Sequence, residues 1–344
     1  MKQFIVFLVL IFSGLIILFL NTESQKVSTE NRFVKVYADI SFVSKWGPGP
    51  SLAALFEKKN NIKVDFIESS DVSMTLQKIS FEANNSIADV VVGLDQFDLS
   101  RSANKIKWKK IESASTVDYA SEISDLVKEK NFLAFDWAPM AFVARQDLGF
   151  TIEKLDDLLK PELKGKIALE DPRTSSPGLQ FLVWVFESKG IPEGRQFLKN
   201  LNHQIHSYSS GWSAAYGLFK NKHVDTVFSY VTSPVYHLIE EKDSTYLSLE
   251  FKEPHPLQIE FVGVPETCKN CDSAIRFAQF LQSEEAQKII MNKNYMLPIL
   301  NRVKESTVFD SVKVYKTKPF KVYEKAQLDE WIQIWSEIRK NEGS

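Results

Sequence analysis

The chain has 344 residues, of which 44% are hydrophobic and 25% charged, and its formal charge at pH 7 is −2. This composition is typical of a globular protein large enough for two domains. The near balance of 42 basic and 44 acidic residues argues against nucleic acid as a partner, because nucleic-acid-binding domains carry a basic surface.

Residues 4–20 form an apolar segment behind Lys2, interrupted by Ser13 and Gly14. A positive residue followed by an apolar run of this length is typical of a secretory signal peptide or a short membrane anchor. No small-x-small cleavage motif precedes Asn21, so export is predicted while cleavage of the leader stays open. We assign residues 1–31 to this signal peptide or anchor plus a polar linker.

The next segment alternates between strand and helix patterns. Strands are predicted at 33–38, 62–67 and 88–93, with helices at 51–59 and 73–81 between them. This order predicts a parallel sheet with crossover helices. Ligands of such sheets bind beyond the carboxyl ends of the strands, so the loops after Ala38, Ile67 and Gly93 are candidate binding loops.

A second α/β set follows an aromatic, strand-rich stretch at 132–143. It opens with a strand at 164–169 and ends with a strand at 226–230, and a return strand is predicted at 257–264. Helices are predicted near 178–188, 193–200, 212–220, 272–281, 284–291 and 327–339. In the last helix, one apolar face is expected to pack in the core; its residues are Leu328, Trp331, Ile332, Trp335 and Ile338.

Two lobes are the simplest architecture for these elements, and a cleft between lobes is a common place for a small-molecule site. We assign residues 32–135 to the first lobe, 136–255 to the second lobe, and 256–344 to the return into the first lobe with the C-terminal helices.

The two cysteines of the chain, Cys268 and Cys271, lie in a Cys-x-x-Cys spacing. Two thiolates are too few for a structural zinc site without further ligands. For an exported protein, a small local disulfide is the preferred interpretation, ahead of a redox motif.

Three segments of the second lobe look like helix starts: 174–178, 209–213 and 232–236. In two of them a serine, Ser176 or Ser233, directly precedes a proline, as in an N-cap followed by Pro at the first helical position. A helix N-terminus presents unpaired N–H groups and the positive end of its dipole, which suits an anion. Ordinary capping and, if the three starts converge, a ligand site both remain open.

Five longer motifs carry a resemblance to a known family. They are 41–50 (SFVSKWGPGP), 88–95 (ADVVVGLD), 171–179 (DPRTSSPGL), 211–219 (GWSAAYGLF) and 229–237 (SYVTSPVYH). With these motifs, the chain from about Val34 to its last helix resembles the periplasmic thiamine-binding proteins of ABC importers.

The resemblance implies an α/β, two-lobe type II periplasmic binding protein fold that closes on thiamine, its monophosphate or its diphosphate. It implies delivery to an ABC permease driven by a separate ATPase. It also implies a periplasmic protein, tethered to the inner membrane if the leader is uncleaved, and monomeric, with no cofactor, no bound metal and no catalytic activity.

The matching motifs assign ligand contacts to the second lobe. Its serines suit a phosphate or the thiamine hydroxyl, and its aromatic rings suit the pyrimidine and the cationic thiazolium, with cation–π attraction of about 0.5–2 kcal/mol per ring. Without the resemblance, core packing would be the preferred interpretation of each ring. The contacts are Ser175, Ser176, Trp212, Tyr230, Val231, Thr232, Ser233 and Tyr236.

Other positions depart from the family pattern. The family has an aminopyrimidine-binding Asp after its second strand; here Ser70 and Asp71 share that region, and Asp71 is preferred for the amino group. Asp39 stands where the family has Tyr, and Tyr295 where it has Trp, so affinity and the preferred phosphate form are open. Trp46, in the first motif, completes the predicted site.

Three alternatives remain. A thiaminase-like enzyme shares this fold but uses a nucleophilic cysteine, and neither Cys268 nor Cys271 is expected in the cleft. A binding protein for ferric iron or an anion is the second; iron sites use paired tyrosines with His or carboxylate, and the five histidines here show no metal-ligand spacing. The third is a tethered protein with a sensing or scaffolding role.

Overall fold

The computed structural model describes residues 32–82, 87–102, 105–113, 117–128, 130–318 and 321–340. The predicted leader, residues 1–31, lies outside these ranges. None of the helices in the described ranges combines the length and the apolar character needed to cross a bilayer.

In the described part of the chain, ten strands form one mixed sheet. Their order is β2-β1-β3-β9-β4-β7-β5-β6, and both β8 and β10 pair with β4. The strands are β1 (Phe33–Asp39), β2 (Lys63–Ser69), β3 (Val90–Leu94), β4 (Phe132–Arg145), β5 (Ile167–Glu170), β6 (Ile205–Ser209), β7 (Thr226–Tyr230), β8 (Tyr246–Ser248), β9 (Leu257–Gly263) and β10 (Leu297–Pro298).

Helices connect the strands and cover the sheet. Those before the long strand β4 are α1 (Ile40–Val43), α2 (Gly49–Asn60), α3 (Val72–Glu82) and α4 (Gln96–Ser102). Those after it are α5 (Ser176–Lys189), α6 (Ile191–Leu201), α7 (Trp212–Lys220), α8 (Ser233–Tyr236), α9 (Cys271–Leu281), α10 (Glu284–Asn294), α11 (Asn301–Lys304) and α12 (Lys325–Lys340). Short 3-10 turns at Gln146–Leu148, Leu155–Leu159, Pro161–Leu163 and Val308–Ser311, and a π turn at His237–Glu241, complete the set.

The strand β4 joins the two halves of the molecule. Its first part pairs with β9 as far as Pro139↔Leu257, and from Met140↔Tyr230 onward it pairs with β7. Apart from Arg145, its side chains are buried, which explains its nearly continuous apolar sequence. The sheet therefore has a first section (β2, β1, β3, β9) and a second section (β7, β5, β6) on either side of β4.

The predicted parallel pairing is confirmed. β1 lies between β2 and β3, parallel to both, and β5 lies between β6 and β7, again parallel to both. The return strand β9 runs antiparallel between β3 and β4. The carboxyl ends of β1, β2 and β3 therefore carry the loops in which binding residues were sought, and the first of the three helix starts follows the carboxyl end of β5.

The sequence reasoning missed the short elements α1, β8, β10 and α11, and also α4 and β6. The helix α4 directly follows β3, and its first turn holds Gln96, Phe97 and Asp98, all buried. The edge strand β6 has the sequence IHSYS, which lacks a clear apolar alternation because most of its side chains are only half-buried.

The C-terminal helix α12 packs against α5 and α6. The predicted apolar face is buried as expected: Leu328, Trp331, Trp335 and Ile338 are less than 8% exposed, and Ile332 packs against the same cluster. This contact lies on the second section of the sheet, and the lobe boundaries given above stay a prediction. Cys268 and Cys271 form the predicted disulfide at the start of α9.

Candidate functional site

Helices begin at all three predicted helix starts, but without side-chain caps. The helix α5 begins at Ser176 with Ser175 as its N-cap, and α8 begins at Ser233 with Thr232 as its N-cap. The predicted N-caps Ser176 and Ser233 were therefore wrong by one residue, since each proline occupies the second helical position. The third helix, α7, begins at Trp212 after Gly211.

No N-cap side chain of these three helices accepts a hydrogen bond from its own first turn. The hydroxyls of Ser175 and Thr232 are buried, with no hydrogen-bond partner among the described residues. A buried hydroxyl without a partner costs free energy. Ordinary capping thus does not explain these serine and threonine side chains, and both hydroxyls can still form a hydrogen bond.

Beside these helix starts, a group of stacked rings and hydroxyls forms what we call the aromatic wall: Trp212, Tyr216, Ser229, Tyr230 and Ser233. The Trp212 indole Nε1–H donates to Ser229 Oγ at 2.8 Å, and its ring stacks on Tyr216 with 4.8 Å between centroids. Ser229 Oγ is 2.8 Å from Ser233 Oγ, which accepts from the Tyr230 N–H. These contacts fix the rings before any ligand binds.

A buried histidine supports the aromatic wall from behind. His237 Nε2 lies 2.9 Å from Tyr216 Oη, and its Nδ1 lies 2.6 Å from Glu241 Oε2. Burial lowers the pKa of His237, so the imidazole is neutral at pH 7. With a carboxylate acceptor at Nδ1, that nitrogen carries the proton and Nε2 accepts from Tyr216. The Tyr246 ring stacks on the imidazole at 3.5 Å and completes this support.

Facing this wall is a set of carboxyl groups that we call the acidic cluster. They come from the carboxyl end of β1, the loops after β2 and β3, the middle of β4 and β9, and the end of β5. The members are Asp39, Asp71, Asp95, Asp98, Asp136, Glu170 and Glu260. Burial raises the pKa of every one of them.

Mutual repulsion adds to the effect of burial on Asp71 and Glu170. Burial raises the pKa of Asp71 well above its ordinary value, and the charges of Asp98, Asp39 and Asp95 raise it further. The pKa of Glu170 is raised well above its ordinary value by burial and then by the charge of Asp71. Charges couple strongly only at short range in a medium of low dielectric constant. The geometry agrees: Asp39 is the register partner of Ser69 at the ends of β1 and β2. Asp98 accepts from Ser73 after β2 and from Ser176 after β5, so these strand ends lie in one region.

In the middle of the sheet, Asp136 and Glu260 are direct register partners on β4 and β9. Burial raises the pKa of Asp136 to about 7, although Asn294 donates to its Oδ2 at 2.7 Å. Gln258 Nε2 donates to Glu260 Oε1 at 3.0 Å and to Tyr230 Oη at 2.9 Å. Asp136 Oδ1 and Gln258 Oε1 have no partner in the described ranges. This pair connects the acidic cluster to the aromatic wall.

The start of α5 was predicted to suit a ligand anion, but carboxylates of the protein itself lie beside it. Ser176 Oγ donates to Asp98 Oδ2 at 3.3 Å, and Gln180 Nε2 is 3.5 Å from Asp95 Oδ2. Arg101 Nη1 is 3.7 Å from Asp98 Oδ1. Glu170 is 2% exposed, and neither of its carboxyl oxygens has a partner in the part of the chain that the structure describes.

The two sections of the sheet touch each other across this region, so the cleft is closed. A Cβ added at Gly211 would lie 2.9 Å from the carbonyl oxygen of Ser70, which leaves room only for glycine there. Tyr295 Oη donates to Glu240 Oε1 at 2.7 Å, and its ring meets Tyr236 edge-on at 5.3 Å between centroids. Tyr236 Oη also accepts from Lys220 Nζ.

Tyr295 is held in an unusual backbone conformation. It ends α10 with φ of 54°, in the left-handed region, which costs a non-glycine residue about 1–2 kcal/mol. Its bond to Glu240 and its contact with Tyr236 offset this cost. Strained residues of this kind often lie in functional sites.

The structure thus brings together most of the predicted site residues. Exposed Ser70 and buried Asp71 lie against Gly211, and Asp71 Oδ1 accepts from the Ser73 N–H. Asp39 accepts from the Ser41 N–H at 3.0 Å as the N-cap of α1. Two predicted residues lie apart: Trp46 is 68% exposed, with Lys45 Nζ 4.1 Å from its ring centroid, and Val231 packs in an apolar cluster. Ligand contact at all these positions stays a prediction.

The polar residues of this region that were not predicted include Asp98, Asp136, Glu170, Gln258 and Glu260. Three of them interrupt strands that otherwise read as apolar, and Glu170 ends a parallel strand. Burying a single acidic side chain within a strand costs free energy, so an acidic residue in an otherwise apolar strand sequence could have marked these positions. Asp98 lies on α4, which was itself missed. In the described ranges, no three His, Cys, Asp or Glu side chains are arranged to hold a metal ion.

Comparison with known proteins agrees with this geometry. The bacterial extracellular solute-binding protein family matches residues 51–319. The thiamine-binding periplasmic protein of Salmonella typhimurium is 32% identical over 302 residues, covering 87% of this chain and 91% of that protein. The solved structure of a periplasmic thiamin binding protein is 31% identical with a TM-score of 0.80, and the match covers 89% of this chain and 96% of that one.

A more distant match shows the fold alone. The apo ferric ion-binding protein A of Pasteurella haemolytica is 18% identical with a TM-score of 0.73, and the match covers 90% of this chain and 98% of that one. The predicted two-lobe type II periplasmic binding fold is thereby confirmed, and so is the resemblance carried by the five motifs. The chain belongs to the bacterial extracellular solute-binding protein family, together with the thiamine-binding periplasmic proteins.

Proposed function

We propose that this protein captures thiamine, thiamine monophosphate or thiamine diphosphate in the periplasm and delivers it to an ABC permease driven by a separate ATPase. The names of its relatives support this ligand. The observation that carries the proposal is the closed cleft, in which aromatic rings lie beside buried carboxylates without partners.

The chemistry of the two walls matches the two ends of thiamine. The rings of Trp212, Tyr230 and Tyr236 suit a flat pyrimidine and a thiazolium cation, by stacking and cation–π attraction. Asp71 suits the amino group of the pyrimidine, because a carboxylate is a strong acceptor for an N–H donor. The unpartnered hydroxyls of Ser175 and Thr232 suit the ligand hydroxyl.

Binding proceeds by closure of the two lobes around the ligand. The contacts of Gly211 with Ser70 and of Tyr295 with Glu240 hold the closed form. A ligand that binds this form more tightly than the open one shifts the population toward it. The closed, monomeric form is the one proposed to reach the permease, without a cofactor or a metal ion.

A catalytic role for cysteine finds no support here. Cys268 and Cys271, the two cysteines of the chain, are joined to each other, so neither offers the thiolate that nucleophilic attack requires. We therefore propose a binding protein and not an enzyme. Incubation with thiamine and a nucleophile, followed by mass analysis for a pyrimidine adduct, tests this proposal.

Calorimetric titration tests the ligand. Thiamine, thiamine monophosphate, thiamine diphosphate, ferric citrate and inorganic phosphate are titrated separately into the mature protein. We expect at least one thiamine compound to bind far more tightly than about 0.1 mM, since uptake from trace supply requires tight capture. Tighter binding of ferric citrate or phosphate than of every thiamine compound would overturn the proposal.

The location of the protein is tested separately. A periplasmic protein with a cleaved leader and one tethered by residues 4–20 differ in mass and in release by osmotic shock. The mass of the exported protein shows which of the two forms exists, and the ligand proposal holds for both.

A further inference from the structure

We infer that the cleft selects unphosphorylated thiamine over its phosphate esters, because the position open to a phosphate is lined by carboxylates of the protein itself. This inference rests on the proposed function and narrows it to one charge class of ligand. The relevant residues are Asp98 on α4 and Glu170 at the end of β5, which both lie beside the N-terminus of α5.

The hydroxyl of the first residue of this helix is already bonded to a carboxylate of the protein. Asp98 Oδ2 lies 3.3 Å from Ser176 Oγ and also 3.3 Å from the backbone nitrogen of Asp95. Asp98 Oδ1 accepts from Ser73 Oγ at 3.2 Å and lies 3.7 Å from Arg101 Nη1. A carboxylate with serine donors and an arginine beside it, at a helix start, fills the role that a ligand phosphate would otherwise take.

Glu170 supplies the second, independent observation. It ends β5, is 2% exposed, and both of its carboxyl oxygens lack a partner within the described ranges. Its carbonyl oxygen lies against the first turn of α5, 2.6 Å from the position that a Cβ on Gly178 would take. Burial and then the charge of Asp71 raise its pKa, so its ionised form is costly beside a second negative charge. A cation here would stabilise the ionised form of Glu170, while a phosphate would oppose it.

The hydroxyls point to the same ligand. Ser175 Oγ and Thr232 Oγ1 are buried and unpartnered in the part of the chain described. A ligand hydroxyl can both donate and accept, so it can satisfy a serine and a carboxylate together. A phosphate ester, with about −1.5 to −2 charges at pH 7, can only accept from the serine and is repelled by the carboxylate.

The test compares three affinities in each of four proteins by calorimetry at pH 7.5: thiamine, thiamine monophosphate and thiamine diphosphate. The proteins are the wild type, Glu170→Gln, Asp98→Asn and the control Asp125→Asn. Asp125 has an 88% exposed side chain paired with Lys128, so its variant removes one charge far from this chemistry. Thermal melting confirms that each variant is folded, and the two cleft variants serve as independent tests.

We expect the wild type to bind thiamine about tenfold or more tightly than the diphosphate. Glu170→Gln, which removes a charge without removing a hydrogen bond, should narrow this ratio several-fold, and Asp125→Asn should leave it unchanged. Equal affinity for the three compounds in the wild type, or a ratio that no cleft variant alters, would overturn the inference and leave the proposed function standing. Absence of binding by all three would overturn both.

Discussion

The two sides of the cleft satisfy their polar groups very differently. In the aromatic wall, the Trp212 N–H, the Ser229 and Ser233 hydroxyls and the Tyr216 hydroxyl all have partners. In the acidic cluster, Glu170 and one oxygen of Asp136 have none in the described ranges. The polar groups of the aromatic wall are thus satisfied within the protein, whereas buried oxygens of the acidic cluster can still accept from a positively charged or hydrogen-bond-donating group.

This difference assigns different energetic roles to the two sides. Preformed rings lose little conformational freedom on binding, so their stacking energy contributes to affinity almost undiminished. Buried carboxylates destabilise the free protein, and a ligand that neutralises them relieves that cost. The rings should therefore dominate affinity, while the carboxylates should dominate selectivity by charge and the dependence on pH.

Removal of the central ring should give the largest effect. Trp212→Ala deletes the ring that stacks on Tyr216 and bonds to Ser229, and we expect thiamine binding to weaken by about 2 kcal/mol or more. Titration calorimetry measures the change. Phe81→Ala, which truncates an 87% exposed aromatic ring outside the predicted site, provides the control. Unchanged affinity of Trp212→Ala would remove this residue from the site.

Asp71→Asn tests the role of the acidic cluster in ligand binding. The amide keeps an acceptor for the Ser73 N–H but loses the charge, so thiamine affinity should fall about tenfold. Because the pKa of Asp71 is raised by burial, its charged form is costly, and the ligand-free variant should melt no lower than the wild type. A lower melting temperature with equal loss of affinity for every ligand would instead indicate a structural role.

The sequence predicted the aromatic wall far better than the acidic cluster, and the reason is physical. Trp212, Tyr230 and Ser233 lie in short continuous motifs, so their neighbours are local in sequence, and the resemblance of these motifs to the thiamine-binding family assigned them to the site. Asp136 and Glu260 are 124 positions apart in sequence and meet only through the register of β4 and β9. Local patterns gave most helices and strands for the same reason, while the pairing of distant carboxylates depends on tertiary structure.

The pH dependence of the free energy of unfolding tests whether ionisation of the acidic cluster destabilises the folded protein. Burial raises the pKa of Asp136 to about 7, so between its ordinary value and pH 7 the folded state binds more protons than the unfolded state. Stability must then fall as pH rises through this range, by up to about 1 kcal/mol per pH unit for each such group. The lowered pKa values of His237 and His255 act oppositely, but only below about pH 6.5.

We therefore expect the melting temperature of the ligand-free protein to fall between pH 6.5 and pH 7.5, where Asp136 loses its proton in the folded state. Saturating thiamine should reduce this slope, because its positive charge compensates the ionised carboxylates. Differential scanning calorimetry at constant ionic strength measures both curves. If the melting temperature of the ligand-free protein rises across this range, ionisation of the acidic cluster does not destabilise the protein.

The smallest effect is expected at the contact that joins the two sides. Tyr295→Phe keeps the ring against Tyr236 but removes the 2.7 Å bond to Glu240, which favours the closed form. Thiamine affinity should fall about three- to tenfold, because an ordinary hydrogen bond contributes about 1 kcal/mol net. Glu240→Gln should weaken the same bond, so the double variant should lose less than the sum of the two single losses. Strict additivity would mean that Tyr295 acts through its ring alone, and the closed form would then depend on the close approach of Gly211 to Ser70.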